Sequence, residues 1–268
     1  MSTSSREIER VARFLGQQKE LGIPELFLDG LSRSEVLAAT AKALATSRSH
    51  GADQAAVPPD RSRDRKDTPA GADAATTAAV PDLGGADYDT LKAAAEACQL
   101  CRLSSTRSNV VFSDGNPNAR LMVVGEAPGA NEDKTSIPFV GQAGRLLDLL
   151  LAAVDLSRKE SVYICNVLKC RPPGTRDPMT DEFEFCAPNL KRQIALVAPE
   201  VILAVGTFAA QLLTATNRPL GKLRGSVYSY EGVPLVVTYH PAALLRNSGW
   251  TRSTWSDLQL LREVMDRG

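Results

Sequence analysis

This chain of 268 residues has no excess of charge to identify its partners: 31 basic and 31 acidic side chains cancel. Neutrality excludes neither nucleic acid nor acidic ligands, because a local basic groove can sit on a neutral protein. It has no run of 18 apolar residues, so no membrane span is expected. It also lacks the apolar core of a signal peptide: Met1–Glu7 leads into a charged, helix-like pattern. A soluble, cytoplasmic monomer is the expectation. Cysteine is sparse and odd in number, at five. A disulfide framework does not suit a cytosolic chain of this length, and metal ligation accounts for the thiols better. Histidine is scarcer still, with only His50 and His240.

Large apolar residues are missing from one long stretch. Between 51 and 86 the chain runs through alanines, paired prolines at 58 and 59, and Asp60-Arg61-Ser62-Arg63-Asp64-Arg65-Lys66-Asp67. With little but Val57 before Val80 and Leu83, it cannot bury enough surface to offset the entropy of ordering, and it reads as a low-complexity linker. Residues 1–50 are expected to form a helical extension before it. Apolar spacing predicts one helix over 6–22 and a second from Ser32 or Ser34 through Leu44. Roughly 180 residues remain from 87 onward, a usual domain size.

In that remainder short apolar blocks alternate with amphipathic segments. Four blocks, 120–124, 162–167, 201–205 and 235–239, have the composition of strands buried on both faces of a parallel sheet. An Ala-rich helix over 88–97 precedes them. Leu146, Leu147, Leu150, Leu151 and Val154 make one helical stripe, and Cys186, Leu190, Ile194 and Val197 another, behind acidic Asp181 and Glu182. A last helix is expected to open at Thr254-x-x-Asp257 as a capping box and to turn Trp255, Leu258, Leu261 and Val264 inward. The alternation predicts a three-layer α/β/α domain with a four-stranded, mainly parallel central sheet. Ligands of such sheets bind beyond the carboxyl ends of strands. Glu126, Asn166, Gly206 and His240 all fall there.

Cys98-x2-Cys101, Cys170 and Cys186 offer four thiolates. Spacing alone leaves tetrahedral zinc, an iron–sulfur cluster and metal-free thiols all open. Cys165, inside a strand, reads as an ordinary buried thiol.

Two further segments carry a family resemblance. Gly125-Glu126-Ala127-Pro128-Gly129, Glu132-Asp133-Lys134-Thr135 and Pro138–Gly144 resemble the first motif of the family 4 uracil-DNA glycosylases. Tyr239-His240-Pro241-Ala242-Ala243-Leu244-Leu245-Arg246 is similar to their second motif. The resemblance covers roughly 87–267. It implies a uracil-DNA glycosylase fold and a 4Fe–4S cluster on Cys98, Cys101, Cys170 and Cys186. It further implies that uracil is removed from single- or double-stranded DNA, leaving an abasic site for base excision repair. Ser136 departs from the glycine common in the family. The loop 171–179 lacks the histidine with which a related branch traps DNA covalently, so such trapping is not expected.

The chemistry assigns roles to residues. An extruded base is recognised by its edge, and a carboxamide can accept from uracil N3–H while donating to O4. Asn166 matches the family's recognition asparagine. His240 suits donation to uracil O2 as charge develops there. Phe139 would stack on the base, with Gly125, Ala127 and Gly129 letting the backbone approach. Glu126 and Glu132 are the candidate carboxylates for water or for the departing sugar, and their roles are not separable from sequence. By resemblance, Glu132 lies near the base's C5. Leu244, Leu245 and Arg246 would form the wedge entering the vacated stack, and Lys169, Arg171 and Arg176 join Arg246 as candidates for phosphates. Two alternatives stand beside this reading. One is a non-catalytic iron–sulfur DNA-binding accessory protein, tethered to a polymerase or repair partner through residues 1–86. The other is a glycosylase for another deaminated base, such as hypoxanthine.

Overall fold

Five-residue apolar blocks become strands whose side chains are buried on both faces, and these set the architecture. In the computed structural model, residues 83–174 and 176–267 are described. They belong to one unit, 78–268. The helices expected over 6–22 and 32–44, and the linker up to residue 82, lie outside the described residues.

The chain enters through α1 (Tyr88–Glu96), capped by Asp87, whose carboxylate accepts from the Thr90 amide at 2.8 Å. Leu83 and Ala86, at the end of the expected linker, already pack beside Leu91 and Phe112. The first strand, β1 (Asp114–Gly115), is followed by β2 (Leu121–Gly125), α2 (Ala130–Thr135) and α3 (Gln142–Ala152). Then come β3 (Val162–Asn166), α4 (Thr180–Val197), β4 (Val201–Val205), α5 (Thr207–Thr214) and the short α6 (Leu220–Leu223). The hairpin β5 (Val227–Tyr230) and β6 (Val233–Thr238) leads to α7 (Pro241–Arg246) and α8 (Thr251–Arg267).

The sheet has six strands in the order β1-β3-β2-β4-β6-β5. The four predicted strands are its parallel centre, β3-β2-β4-β6. Two antiparallel edges, β1 and β5, extend the expected four-stranded sheet. Edge strands carry no two-sided apolar run, which explains why they were not legible: β1 has two residues, and β5 alternates exposed and half-buried positions. One face packs against α3, α7 and α8 through Leu147, Leu151, Leu244, Leu258 and Leu261. The other packs against α4 and α5 through Leu190, Ile194, Ala209 and Leu213.

The last helix departs from expectation. It begins at Thr251, so Thr254 and Asp257 lie inside it and are buried. Asp257 accepts instead from Thr238 at 2.7 Å and pairs with Arg224, tying the helix to the end of β6. A tertiary partner for the carboxylate replaces the capping role.

Ser136 ends α2 in the left-handed region, φ 61° and ψ 13°. A side chain there costs about 1–2 kcal/mol, against about 0.5–1 kcal/mol of extra chain entropy that glycine loses on folding. Ser136→Gly is therefore expected to stabilise the domain by about 0.5–1 kcal/mol, read as a higher midpoint in denaturant.

Candidate active site

Register brings the first site residues together. Gly125 and Asn166 are direct partners in the parallel β2–β3 pair. Past the strand ends, Val167 N–H donates to Gly125 O (2.9 Å) and Leu168 N–H to Glu126 O (3.0 Å). Glu126 and Asn166 thus leave the sheet side by side. From the other half, Gly206 N–H donates to Thr238 O at 3.0 Å, and His240 follows two residues later as the N-cap of α7. Glu126, Asn166 and His240 line a pocket of about 480 Å³ with Phe139, Glu132, Ala127, Gly129, Arg171, Asp177 and Arg246, whereas Gly206 does not line it but lies against His240, where a Cβ would stand 3.2 Å from His240 Cβ. That volume falls among small-ligand pockets.

Asn166 is buried, and among the described residues its Oδ1 has no hydrogen-bond partner. A buried amide oxygen left unpaired costs about 1–3 kcal/mol, so it marks an acceptor awaiting a donor. Gly125 makes room for it: a Cβ there would stand 2.3 Å from that oxygen and 2.6 Å from Phe139 Cζ.

Phe139 stacks on His240, ring centroids 5.4 Å apart and planes inclined by 27°. It holds a positive φ of 55°, a strained state for an aromatic residue. Packing enforces it. A Cβ on Gly144 would lie 1.7 Å from Phe139 O, so helix α3 can seat against this loop only with glycine there.

Nδ1 of His240 accepts from Ala242 N–H at 3.1 Å. In a neutral imidazole the proton then resides on Nε2, which is left as a donor. Burial, aided by Arg246 and opposed by Glu132, pushes the His240 pKa down to about 4, so the ring is neutral near pH 7.

The two carboxylates separate. Glu132 Oε1 accepts from the amides of Val140 (3.1 Å) and Gly141 (3.3 Å) and so braces the Phe139 loop. No side-chain hydrogen bond to Glu126 is found among the described residues. Burial, then the charge of Asp177, raises the Glu126 pKa to about 7. A carboxyl poised there suits proton transfer.

Three expected DNA contacts need correction. Lys169 is 2 % exposed. Its Nζ donates to Asn166 O at 2.6 Å and to Gln193 Oε1, because a buried ammonium must find acceptors within the fold. It ties the end of β3 to α4 and cannot reach a phosphate. Leu244 sits in the core at 5 % exposure, while Leu245 is 52 % exposed, so the α7 surface offers one leucine and Arg246 for a wedge. Arg176 also lines the pocket but is committed to Glu182, which it grips with both terminal nitrogens. Arg171 lines the pocket.

Cys98, Cys101, Cys170 and Cys186 line one separate cavity. Among the described residues no three His, Cys, Asp or Glu side chains gather tightly enough for a single metal ion. Four thiols around one cavity are a donor set of the kind that holds tetrahedral zinc or an iron–sulfur cluster. Sequence reasoning missed Arg107, which donates to Cys170 Sγ at 3.1 Å and to Cys98 O at 2.7 Å. Cys165 is fully buried within β3.

Residues 112–259 match the family model described as the Uracil DNA glycosylase superfamily. The chain is 42% identical over 175 residues to the type-4 uracil-DNA glycosylase of Archaeoglobus fulgidus, covering 62% of this chain and 87% of that protein. Identity to the type-4 enzyme of Thermotoga maritima is 44% over 152 residues, 56% of this chain and 79% of the relative. A type-5 uracil-DNA glycosylase from Pyrobaculum aerophilum is 33% identical over 171 residues, covering 57% and 72%.

Proposed function

Since this chain belongs to the type-4 group of the Uracil DNA glycosylase superfamily, we propose that it hydrolyses the N-glycosidic bond of an extruded uracil in this pocket, leaving an abasic site in DNA. The observation that carries this reading is the convergence on one pocket of an unpaired buried carboxamide oxygen, a neutral imidazole and an aromatic ring.

In the proposed mechanism Asn166 Oδ1 accepts from uracil N3–H, the donor its environment lacks, and its amino group donates to O4. Cytosine presents an unprotonated N3 and an amino group at these positions, so both hydrogen bonds would be lost. Phe139 stacks on the base. As the bond lengthens, negative charge moves onto the pyrimidine, and His240 Nε2–H donates to O2, where the charge gathers. Glu126 takes the proton of the attacking water, and Glu132 holds the loop that carries Phe139. Leu245 fills the gap left in the stack, while Arg246 and Arg171 meet phosphates, so binding weakens with salt. Cys98, Cys101, Cys170 and Cys186 would hold a 4Fe–4S cluster, which when bound would tie the end of α1 to the chain following Asn166. Cys170→Ser is then expected to lose the visible iron–sulfur absorbance, measured on anaerobically purified protein.

The direct test incubates the full chain with a single-stranded oligonucleotide bearing one uracil, followed by alkali. Strand cleavage at the uracil position is expected, and a strand that stays alkali-stable after prolonged incubation counts against the reading. A panel carrying hypoxanthine or xanthine separates uracil specificity from broader repair.

Glu126 also sets a pH dependence. A base acts in its ionised form, so with the pKa near 7 the single-turnover rate should rise with pH up to about that value and then level. Glu126→Gln should remove this limb and lower the plateau by about 10²–10⁴-fold. An unchanged profile in the variant would transfer the role to another group.

A further inference from the structure

Arg158 stands outside the pocket yet grips the loop that carries the stacking ring. Its Nε donates to Asp148 Oδ1 at 2.7 Å and its Nη1 to Asp114 Oδ2 at 3.0 Å. Nη1 also donates to Pro138 O at 3.0 Å, and Nη2 to Phe139 O at 2.9 Å. The side chain is 15 % exposed. Asp114 lies on β1 and Asp148 on α3, so two carboxylates on different elements anchor the planar guanidinium. Its remaining donors face two successive carbonyls of the loop. Those carbonyls belong to the residue that holds φ 55° and to the one before it. Gly144 presses on the same Phe139 carbonyl from α3. A strained conformation persists only where its surroundings over-determine it; Glu132 holds the amides that follow Phe139, and Arg158 holds the carbonyls of Pro138 and Phe139.

We propose that Arg158 is a positioning residue for uracil: by bracketing the Pro138 and Phe139 carbonyls, it holds the Phe139 ring at the depth where a flipped pyrimidine stacks. This rests on the glycosylase reading and adds a specificity device to it. Lysine cannot replace it, because one ammonium cannot span two carbonyls and two carboxylates as a forked guanidinium does. Arg158 reaches none of the groups placed against DNA, so its effect should divide cleanly. Affinity for the base falls while affinity for the emptied strand stays.

The test compares wild type, Arg158→Ala, Arg158→Lys, Phe139→Ala and the Arg158→Ala/Phe139→Ala double variant of the full chain. Calorimetry gives the Kd of free uracil, and fluorescence anisotropy gives the Kd of an abasic-site oligonucleotide. Both Arg158 variants should bind uracil about tenfold more weakly or worse, the scale of a lost stacking contact. Abasic-DNA affinity should remain within twofold. The double variant should be no weaker for uracil than Phe139→Ala alone, because one restraint acts through the other. If Arg158→Ala does not fold, Arg158→Lys, which keeps the charge beside Asp114 and Asp148, makes the same comparison against Phe139→Ala. A uracil Kd within twofold of wild type, or equal losses for uracil and abasic DNA, overturns the positioning role. Wild-type protein that binds uracil but releases none from DNA counts against the glycosylase reading alone.

Discussion

Replacing His240 by alanine should lower single-turnover uracil release by about 10²–10³-fold, the usual cost of one donor aimed at developing charge. Binding of an abasic oligonucleotide should change little. The imidazole is held by the Ala242 amide on Nδ1, and its depressed pKa keeps it uncharged at neutral pH. The geometry therefore makes it a fixed dipole, able to strengthen its hydrogen bond only as the base acquires charge. A second consequence follows from the direction of the shift. An ordinary histidine titrates near 6.5, but this one should stay neutral through the range in which Glu126 titrates. The acidic limb of the rate then belongs to the carboxyl group and should survive, at lower amplitude, in His240→Ala. A uracil-release rate within threefold of wild type would remove His240 from the mechanism. The variant should keep the fold, because the residue lines an open pocket and the Ala242 amide lies at a helix N-terminus, where water can replace Nδ1.

Asn166→Ala should be comparably damaging, by a different route. Two hydrogen bonds to the uracil edge vanish, and the enclosed N3–H and O4 are left without partners at about 1–3 kcal/mol apiece. Together these predict a loss of roughly 10–10⁴-fold in kcat/KM, at about 1.4 kcal/mol per tenfold. Free uracil binding should weaken in parallel, since the interaction forms before the bond breaks. This contrasts with His240→Ala, whose loss should fall mainly on kcat. Stability should not suffer, because Oδ1 is unpaired among the described residues, and truncation removes a buried polar atom that the fold alone does not satisfy. A denaturation midpoint at or slightly above wild type is expected. A large drop would mean that the amide serves the fold instead of the ligand.

Both predictions depend on side chains identifiable in the primary structure, by the family resemblance of their motifs and by a local cue to their positions. Strand ends are announced by apolar blocks stopping at a polar residue or glycine, and four such blocks lie before Glu126, Asn166, Gly206 and His240. A parallel sheet places all those ends on one edge. The two antiparallel edge strands were not legible, because a two-residue bridge and a half-exposed hairpin strand carry no such block. The same limit hid Arg158, in the charged turn Ser157-Arg158-Lys159-Glu160, where a solvated surface is the ordinary expectation. Lys169 was misplaced for the converse reason: a lysine next to cysteine and arginine looks exposed, and only packing shows Asn166 O and Gln193 drawing it inward.

The linear chain by itself determined the four central strands with the main helices between them, and which polar residues stand at the sheet's carboxyl edge. These depend on periodicity and spacing, which are properties of neighbours along the polymer. Tertiary structure alone decided which carboxyl is left unengaged, which leucine is exposed, which basic side chains are committed within the fold, and what holds Phe139 at its strained φ. Those outcomes depend on which group reaches a hydrogen-bond partner first once distant segments are packed together, and no local pattern encodes that competition.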